Sequence, residues 1–491
     1  MPGHHLLGWN RLVDFFLFDY NAKGIQHLEN GSTSSLGKKI VAVEEESPTG
    51  RRLAKNRLRW ILLILVGLLL LALVWFSYSA DSEITALRNV LHYKVVKALG
   101  GPRMNSDEPM GSISGKLLDS HGEPVAGAIV LVASPLGHTY TAESNLNGQY
   151  HISDVPPGRY VVVAGKRGYD DALEQVCIAG LCSKHTAAVR PTAEAHDFDL
   201  TLAPTTPLGV SVDDSLIVSP TVEVEVGAPF PSKALRTSFG FERAGLWVND
   251  CHLYESIESD GLPVVSEAEP FPTLLLVLPG PVHNWEIIPV PFAAEGFSVL
   301  ACYPLRGIDI DEDAADLLTA LEYVRQGRVP SRADPERLGL IGASFTSIHA
   351  YRLLGLTDEM DVVLVLGGMS DGFAFRHDVE IGTAHTRPPF DQVLMALGFP
   401  NTSPELYFRY SAIFHLEGLP PICLLHGRED ELSPFSQSVE LAEELERRGH
   451  PHEFYSYEGL KHYFSTSAED ATTQQMFQDS LQCLRRSLGS E

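Results

Sequence analysis

Three side chains in the second half of the sequence have the types and the order needed for nucleophilic catalysis. Ser344 stands on a Gly-Ala-Ser turn directly after the apolar run 338–341, and a helical pattern follows it. A tight turn of this kind from strand to helix raises a serine hydroxyl above a sheet. Asp430 and His462 come later in the chain. These residues predict attack by Ser344 on an acyl carbonyl, with His462 as general base and Asp430 holding its tautomer.

Each of these assignments has an alternative. Thr346 stands where the nucleophile pattern has its second glycine. Asp430 lies between two glutamates, so an exposed acid is its alternative interpretation, and Asp371, which follows the apolar run 362–366, is a second candidate for the carboxylate. The alternative for His462 is a surface histidine.

Acyl transfer also requires hydrogen-bond donors for the developing oxyanion. The backbone N–H of Phe345, directly after the nucleophile, is the first predicted donor. The second is expected from the loop 279–285, where Pro281 carries no N–H. The N–H of Val282, or else the side chain of His283, is predicted to take its place. Together with Thr346, this loop leaves open a degenerate hydrolase without activity.

Two motifs near the C-terminus place the acid and the base in a family context. They are His-Gly-x-x-Asp at 426–430 and Tyr-x-Gly-x-x-His at 457–462. With the serine turn, they resemble α/β-hydrolases of the prolyl oligopeptidase family and dienelactone hydrolase-like esterases. The resemblance implies a Ser-Asp-His order of catalytic residues and an acyl-enzyme intermediate. No HExxH pattern or zinc-type cysteine spacing occurs, so neither a metal nor a cofactor is predicted.

The elements that must position these residues are apolar strands alternating with amphipathic helices. Helical patterns cover 311–325 and 436–448, and the apolar runs of strand length are 273–278, 298–302, 338–341, 362–366 and 422–425. Alternation of this kind predicts a parallel sheet covered by helices on both faces. The predicted fold class is therefore α/β, with an α/β-hydrolase domain over 233–491.

A β-rich region precedes the hydrolase domain. Short strand patterns separated by Asn-Gly and Pro-Pro-Gly turns run from 111 to 204 and predict a small β-sandwich. Its motifs, among them Gly122-Glu-Pro-Val-Ala-Gly and Pro156-Pro-Gly-Arg-Tyr, resemble the carboxypeptidase regulatory-like domain. The resemblance implies a spacer or binding role without catalytic residues. Residues 205–232 are predicted to be a linker or an added strand.

An apolar run near the N-terminus predicts attachment to a membrane. Residues 60–78 carry no charge and are long enough for a helix that crosses the hydrocarbon core. Five basic residues at 51–59 predict that segment 1–59 is cytoplasmic and that the chain beyond a transmembrane helix at 60–80 is exported. A cleaved signal peptide is the alternative. A stalk at 81–110 follows, with Ile84, Leu87, Leu91 and Val95 on one helical face.

Charge and cysteine content restrict the partners and the compartment. The chain has 37 basic and 63 acidic residues, a net charge of −26, so nucleic acid is not a predicted partner. Of the six cysteines, Cys177 and Cys182 are close enough for a disulfide, which stays open, and the other four are predicted to be buried thiols. A protein partner would contact the sandwich or the N-terminal segment.

The sequence therefore predicts a membrane-anchored serine hydrolase that cleaves an ester, with thioesters and short peptide amides as variants. Peptidases of the resembled family usually carry a β-propeller, and the β-rich region here is too short to build one, which favours an esterase. The alternative is an inactive hydrolase fold that serves as an interaction or scaffold subunit at the membrane. The pairing of the two domains resembles bacterial architectures, so the predicted location is the inner membrane, facing the periplasm.

Overall fold

The computed structural model describes residues 48–102, 109–257, 270–306, 309–386, 390–465 and 467–489, and side chains from residue 60 onward except that of Ser82. The chain divides into two units, Met1–Ser79 and Ala80–Glu491. In the first unit, helix α1 covers Pro48–Tyr78, and within it Trp60–Tyr78 is long and apolar enough to cross a membrane, with a mean hydropathy of 2.7. Most of the predicted cytoplasmic segment, residues 1–47, lies outside the described residues.

The second unit begins with the stalk helix α2, Ser82–Ala98, whose first turn is capped by the Asp81 carboxylate accepting from the Ile84 N–H. The predicted apolar face of this helix is covered only in its first half, where Ile84 and Leu87 are half-buried, whereas Leu91 and Val95 are exposed. The buried residues are Ala86 and Asn89, and Asn89 Nδ2 donates to the Ala396 carbonyl at 2.8 Å. Because a polar side chain makes this contact, hydropathy alone did not locate the most buried face.

The β-rich domain consists of twelve short strands in the described residues. One sheet has the order β11-β1-β12, with β4 also paired to β1, and a second has the order β3-β2-β6-β7; β5 pairs with β10, and β8 with β9 forms a separate hairpin. A single core is enclosed between the sheets and contains Ile113, Leu117, Val130 and Tyr150. The strands are Gly111–Asp119 (β1), Ile129–Ala133 (β2), Thr139–Glu143 (β3), Gln149–Val155 (β4), Gly158–Tyr160 (β5), Val163–Gly165 (β6), Ala172–Leu173 (β7), Gln175–Ile178 (β8), Leu181–Lys184 (β9), Ala187–Val189 (β10), Glu194–Ala195 (β11) and Leu200–Leu202 (β12).

The following domain is built on a ten-stranded sheet of order β13-β15-β16-β18-β17-β19-β20-β21-β22, with β14 also paired to β15. All pairings from β18 to β22 are parallel, and the others are antiparallel. Two strands of the predicted linker, β13 and β14, extend this sheet. The strands are Ile217–Val218 (β13), Val222–Val226 (β14), Ser232–Arg243 (β15), Leu246–Glu255 (β16), Phe271–Val277 (β17), Ser298–Cys302 (β18), Ala333–Ala343 (β19), Val362–Leu366 (β20), Ile422–Gly427 (β21) and His452–Tyr457 (β22).

Helices cover both faces of this sheet. Buried residues of α4, α5 and α9 pack on one face, and those of α3 and α10 pack on the other. The remaining helices, α6 to α8, form a cap that also contacts the sandwich through Leu131 and Val163. The predicted α/β-hydrolase architecture with a β-sandwich before it is present. The helices are Pro289–Ala294 (α3), Ile310–Arg325 (α4), Ser347–Leu356 (α5), Gly372–Ile381 (α6), Phe390–Leu397 (α7), Pro404–Arg409 (α8), Ser436–Arg447 (α9) and Ala471–Leu488 (α10).

All six cysteines form disulfides, so the prediction of four buried thiols is wrong. Cys177 pairs with Cys182 across the β8–β9 hairpin. Cys251 pairs with Cys302 on neighbouring strands of the large sheet, and Cys423 pairs with Cys483 between a strand and helix α10. The last two pairs are separated by 51 and 60 residues, so sequence proximity gave no indication of them. Disulfides of this kind persist in oxidising compartments.

Candidate active site

Ser344 lies at the carboxyl end of β19 on a strained turn. Its φ is +52°, a left-handed value that is uncommon for a residue with a side chain. Helix α5 begins three residues later, and a Cβ at Gly342 would lie 2.8 Å from Ala350 Cβ and 2.9 Å from Ser347 Cα. Only glycine at 342 allows the helix to come this close to the strand. The turn therefore has the local geometry predicted for a nucleophile elbow.

Thr346 fits the turn despite replacing the second glycine of the pattern. The side chain is fully buried, and its Oγ1 lies 2.7 Å from the Val277 carbonyl and 2.8 Å from the Ala343 carbonyl. The Ala343 N–H also donates to Oγ1 at 3.3 Å. A buried hydroxyl with partners carries no unpaired polar penalty. The threonine thus connects the turn to the neighbouring strand β17.

The structure brings Ser344, His462 and Asp430 together at one edge of the sheet. Ser344 Oγ lies 2.8 Å from His462 Nε2, and His462 Nδ1 lies 2.8 and 2.9 Å from the two Asp430 carboxylate oxygens. Asp430 follows β21 and His462 follows β22, so both come from the carboxyl ends of adjacent parallel strands. Ligands bind at this edge in open α/β sheets. These distances are within the range that proton transfer from a serine requires.

Several donors hold the Asp430 carboxylate in its ionised form. The Leu432 and Ser433 N–H groups donate to Oδ1 at 2.9 and 2.8 Å, and the buried His426 places Nε2 3.3 Å from Oδ2. Burial raises the pKa of this carboxyl, but the hydrogen bonds from His426 and His462, with that from Ser433, lower the pKa to about 2. His426 is the first residue of the His-Gly-x-x-Asp motif, and the motif alone predicted no role for it.

The rival carboxylate, Asp371, has a different task. It caps helix α6, where Oδ1 accepts from the Phe373 N–H at 2.8 Å and the Ala374 N–H at 3.1 Å. Burial raises the pKa of Asp371 to about 6, although these backbone N–H groups oppose the change. Its oxygens thus serve the helix N-terminus, and Asp430 is the carboxylate bonded to His462.

The second oxyanion donor is placed differently from the prediction, whereas the first is not. The Phe345 N–H follows the nucleophile and has no hydrogen-bond partner among the described residues. The Val282 N–H, in contrast, donates to Asp250 Oδ2 at 3.1 Å, so its assignment as the second donor is wrong. Pro281 is exposed, and the proline that lines the cavity beside Ser344 is Pro279.

Trp285 is a donor at this site that sequence analysis missed. The indole lines the same cavity as Ser344, and its Nε1–H has no hydrogen-bond partner in the described part of the chain. A Cβ at position 280 would lie 3.1 Å from Nε1, so Gly280 leaves the space that the indole occupies. The signal in the sequence was an aromatic donor at the end of a loop with two prolines.

A cavity of about 330 Å³ opens at the Ser344 hydroxyl. Most of its lining side chains are apolar and come from the sheet edge, the cap and the last loop: Trp285, Ile288, Phe345, Leu366, Met369, Phe390, Val393, Leu425, Leu432, Leu460, Phe464 and Met476. Beyond the predicted triad, the ionisable lining residues are His385, Lys461 and Tyr463. Within the described residues, no group of three His, Cys, Asp or Glu side chains is arranged to hold a metal ion.

Comparison with known families agrees with this architecture. Residues 309–489 match the prolyl oligopeptidase family, and residues 112–200 match the carboxypeptidase regulatory-like domain. The chain therefore carries a carboxypeptidase regulatory-like domain followed by an α/β-hydrolase domain of the prolyl oligopeptidase type. This confirms the resemblance drawn from the sequence motifs.

Solved structures with a remote likeness include peptidases and an esterase. A puromycin-hydrolyzing peptidase of Mycobacterium tuberculosis is 17% identical with a TM-score of 0.41, and the match covers 74% of this chain and 60% of that one. An acylaminoacyl peptidase of Pyrococcus horikoshii is 15% identical with a TM-score of 0.42, and the match covers 76% of this chain and 63% of that one. An esterase of Thermogutta terrifontis is 17% identical with a TM-score of 0.36, and the match covers 50% of this chain and 89% of that one. The chain thus spans about three fifths of the length of the peptidases.

Proposed function

We propose that the chain is a membrane-anchored serine hydrolase that cleaves esters through an acyl-enzyme. The observation that carries this proposal is the chain of hydrogen bonds from Ser344 Oγ through His462 to Asp430, which opens onto a mainly apolar cavity. An inactive scaffold has no need of a strained serine bonded to a histidine whose other nitrogen meets an ionised carboxylate. The alternative of a degenerate hydrolase is therefore the weaker one.

The reaction follows from the positions of the side chains. His462 Nε2 takes the Ser344 proton as Oγ attacks the carbonyl carbon, and then gives that proton to the leaving alcohol. A water molecule, deprotonated by His462, then attacks the acyl-enzyme, and His462 returns the proton to Ser344 as the carboxylic acid leaves. Asp430 holds the His462 Nδ1–H and stabilises the imidazolium that forms in each step. The Phe345 N–H and the Trp285 indole N–H stabilise the oxyanion, because the two prolines leave the loop 279–285 short of backbone donors.

The cavity lining favours an ester with an apolar acyl or alcohol group. A peptidase that recognises the free N-terminus of its substrate needs a carboxylate for the ammonium group. Among the described lining residues, Asp430 is the carboxylate present, and it is engaged by His462. Thioesters and short peptide amides are variant substrates of the same site, because neither needs a charged recognition group.

Membrane attachment is the second part of the proposal. The apolar segment Trp60–Tyr78 anchors the chain, with its basic N-terminal flank in the cytoplasm and the two folded domains exported to the periplasm of a bacterium. Three disulfides in the exported part support an oxidising compartment. A reporter active only after export, fused after Gly100, is expected to be active in cells. Activity of a cytoplasmic reporter at the same site would reverse the orientation.

Fluorophosphonate labelling of the full chain in membranes tests the catalytic part. We expect covalent labelling of the wild type and none of Ser344→Ala. Ser183→Ala, which alters an exposed serine on the β8–β9 hairpin, is the matched control and should label like the wild type. Equal labelling of the two variants, or no labelling of a folded wild type, would favour the scaffold function.

A further inference from the structure

The β8–β9 hairpin is a separate two-stranded sheet of the β-rich domain, and a disulfide joins its strands. Gln175–Ile178 pairs with Leu181–Lys184, and Ala179 and Gly180 form the turn with φ values of +50° and +79°. Two successive residues with positive φ are typical of the tight hairpin turn that matches strand twist. Cys177 and Cys182 face each other across the strands and are joined. An isolated two-stranded hairpin is marginal in water, so this bond helps to hold the tip in shape.

One face of this hairpin is apolar and uncovered. Val176 and Ile178 alternate with Cys177 and therefore lie on the same face, and their exposed fractions are 64% and 71%. Leu181 stands opposite Ile178 in the register and extends the face. Residues 175–183 carry no charged side chain in a chain with a net charge of −26. Apolar side chains clustered in this way mark an interaction surface.

The hairpin turn is bonded to the start of the stalk. The Ala80 N–H donates to the Gly180 carbonyl at 3.0 Å, and Ala80 is two residues after Tyr78, the last residue of the apolar segment. Two residues of extended chain reach at most about 7 Å. At the base of the hairpin, Lys184 Nζ donates to the Thr402 carbonyl at 2.9 Å and pairs with Glu405, which joins it to the cap. The hairpin turn is thus bonded to Ala80, which chain connectivity keeps within two residues of the apolar segment.

We propose that the apolar face of the β8–β9 hairpin is a second contact with the membrane, in which Val176 and Ile178 enter the interfacial region of the lipid bilayer. This inference rests on the proposed membrane anchoring. The bilayer is the occupant that the structure favours, because the turn is bonded to Ala80, two residues along the chain from the membrane segment. A bilayer of zwitterionic lipid is preferred over an anionic one, because the net charge of −26 opposes a negative surface.

Photo-crosslinking of the full chain in phosphatidylcholine nanodiscs tests this contact. The crosslinking residue p-benzoylphenylalanine is placed singly at positions 178, 68 and 146. Position 68 lies in the apolar segment, and Leu146 is 88% exposed on another loop of the sandwich, so it is the matched control for exposure. We expect lipid adducts from positions 68 and 178, with at least ten times more adduct at 178 than at 146.

Each other outcome overturns the inference in a distinct way. Adduct at 68, with no more at 178 than at 146, leaves the anchor intact and removes the hairpin contact. A crosslink from 178 to a second copy of the chain replaces the membrane contact with self-association. No lipid adduct at 68 refutes the anchor itself, and with it the hairpin contact.

A second set of variants tests the apolar face directly. With the crosslinker at 178, Val176→Ser is expected to lower the yield of lipid adduct several-fold, whereas Ser183→Thr on the same hairpin leaves it unchanged. Fluorophosphonate labelling should stay at the wild-type level in both, which shows that they are folded, since the hairpin lies outside the catalytic cavity. An unchanged adduct yield in Val176→Ser contradicts the proposed insertion.

Discussion

The candidate site has two parts that differ in how completely their polar groups are partnered: the residues Ser344, His462 and Asp430, and the loop 279–285. Around Ser344, His462 and Asp430, each charged or proton-carrying atom meets a partner, and His426 supports the carboxylate from behind. In the loop 279–285, two positions are proline and the Val282 N–H is taken by Asp250. Acid–base chemistry and oxyanion stabilisation are therefore separable in this molecule. In the proposed mechanism, the first depends on three residues in contact, and the second on the Phe345 N–H and on the Trp285 side chain, which replaces a missing backbone donor.

The largest effect on kcat is expected from substitutions of His462 and Asp430. His462→Ala removes the general base and should lower kcat about 10⁶-fold, and Asp430→Asn leaves the imidazole in the wrong tautomer and should lower kcat about 10⁴-fold. Hydrolysis of p-nitrophenyl butyrate by the purified full chain in detergent measures this loss. A loss below tenfold for either variant, with the fold intact by circular dichroism, would mean that the observed contacts are not the catalytic ones.

Substitution of Trp285 should lower kcat less, because it removes only one of the two proposed oxyanion donors. Trp285→Phe keeps the ring and deletes the indole N–H, and we expect a fall in kcat of about 10² with little change in KM. Trp247→Phe is the matched control, since Trp247 lies on β16 and does not line the cavity. Equal activity of both variants would assign the second donor to a backbone N–H such as that of Gly280.

A smaller effect on kcat is expected from substitution of His426, which lies beside the Asp430 carboxylate. His426→Gln removes the imidazole that lies 3.3 Å from Asp430 Oδ2 and loosens the position of Asp430. About a tenfold loss of kcat is expected, because the Leu432 and Ser433 N–H groups still hold Oδ1. Steady-state kinetics on the same ester measures it. A loss as large as that of Asp430→Asn would make His426 an essential member of the site.

The smallest catalytic effect is expected at the rival carboxylate. Asp371→Asn should leave kcat within about twofold, since Asp371 caps helix α6 and Asn is also an effective cap. The same variant should change the pH dependence of stability. The pKa of Asp371 is raised to about 6, so its contribution to stability is full below the usual carboxyl pKa and is lost as pH rises through about 6.

That loss is measurable as a free energy of unfolding. In the wild type, titration of Asp371 should lower the free energy of unfolding by roughly 2 kcal/mol between pH 4 and pH 7, and Asp371→Asn should remove this part of the pH dependence. Denaturant unfolding at both pH values gives the comparison. A wild-type slope that persists in the variant would assign the titration to another buried group.

Local sequence determined much of the fold and the core of the site. Apolar runs located the central strands, of which Ser298–Cys302 and Val362–Leu366 have the predicted bounds, because strands buried on both faces need continuous apolar residues. The nucleophile elbow was predicted from Gly342 and Ser344, because a tight turn from strand to helix needs a glycine two residues before the serine to avoid a steric clash with the helix. Asp430 and His462 came from motifs at two strand ends, and parallel strands bring such ends to one edge.

Contacts between distant segments decided the rest. Asp250 comes 32 residues before Val282, yet it accepts that N–H and removes it from the site. The same holds for the disulfide partners on strands and helices far apart in the chain, and for the face of the stalk helix chosen by the bond from Asn89 to Ala396. A sequence pattern records which side chains prefer burial or a turn. It does not record which donor meets which acceptor, because that depends on how strands and loops from separate parts of the chain pack together.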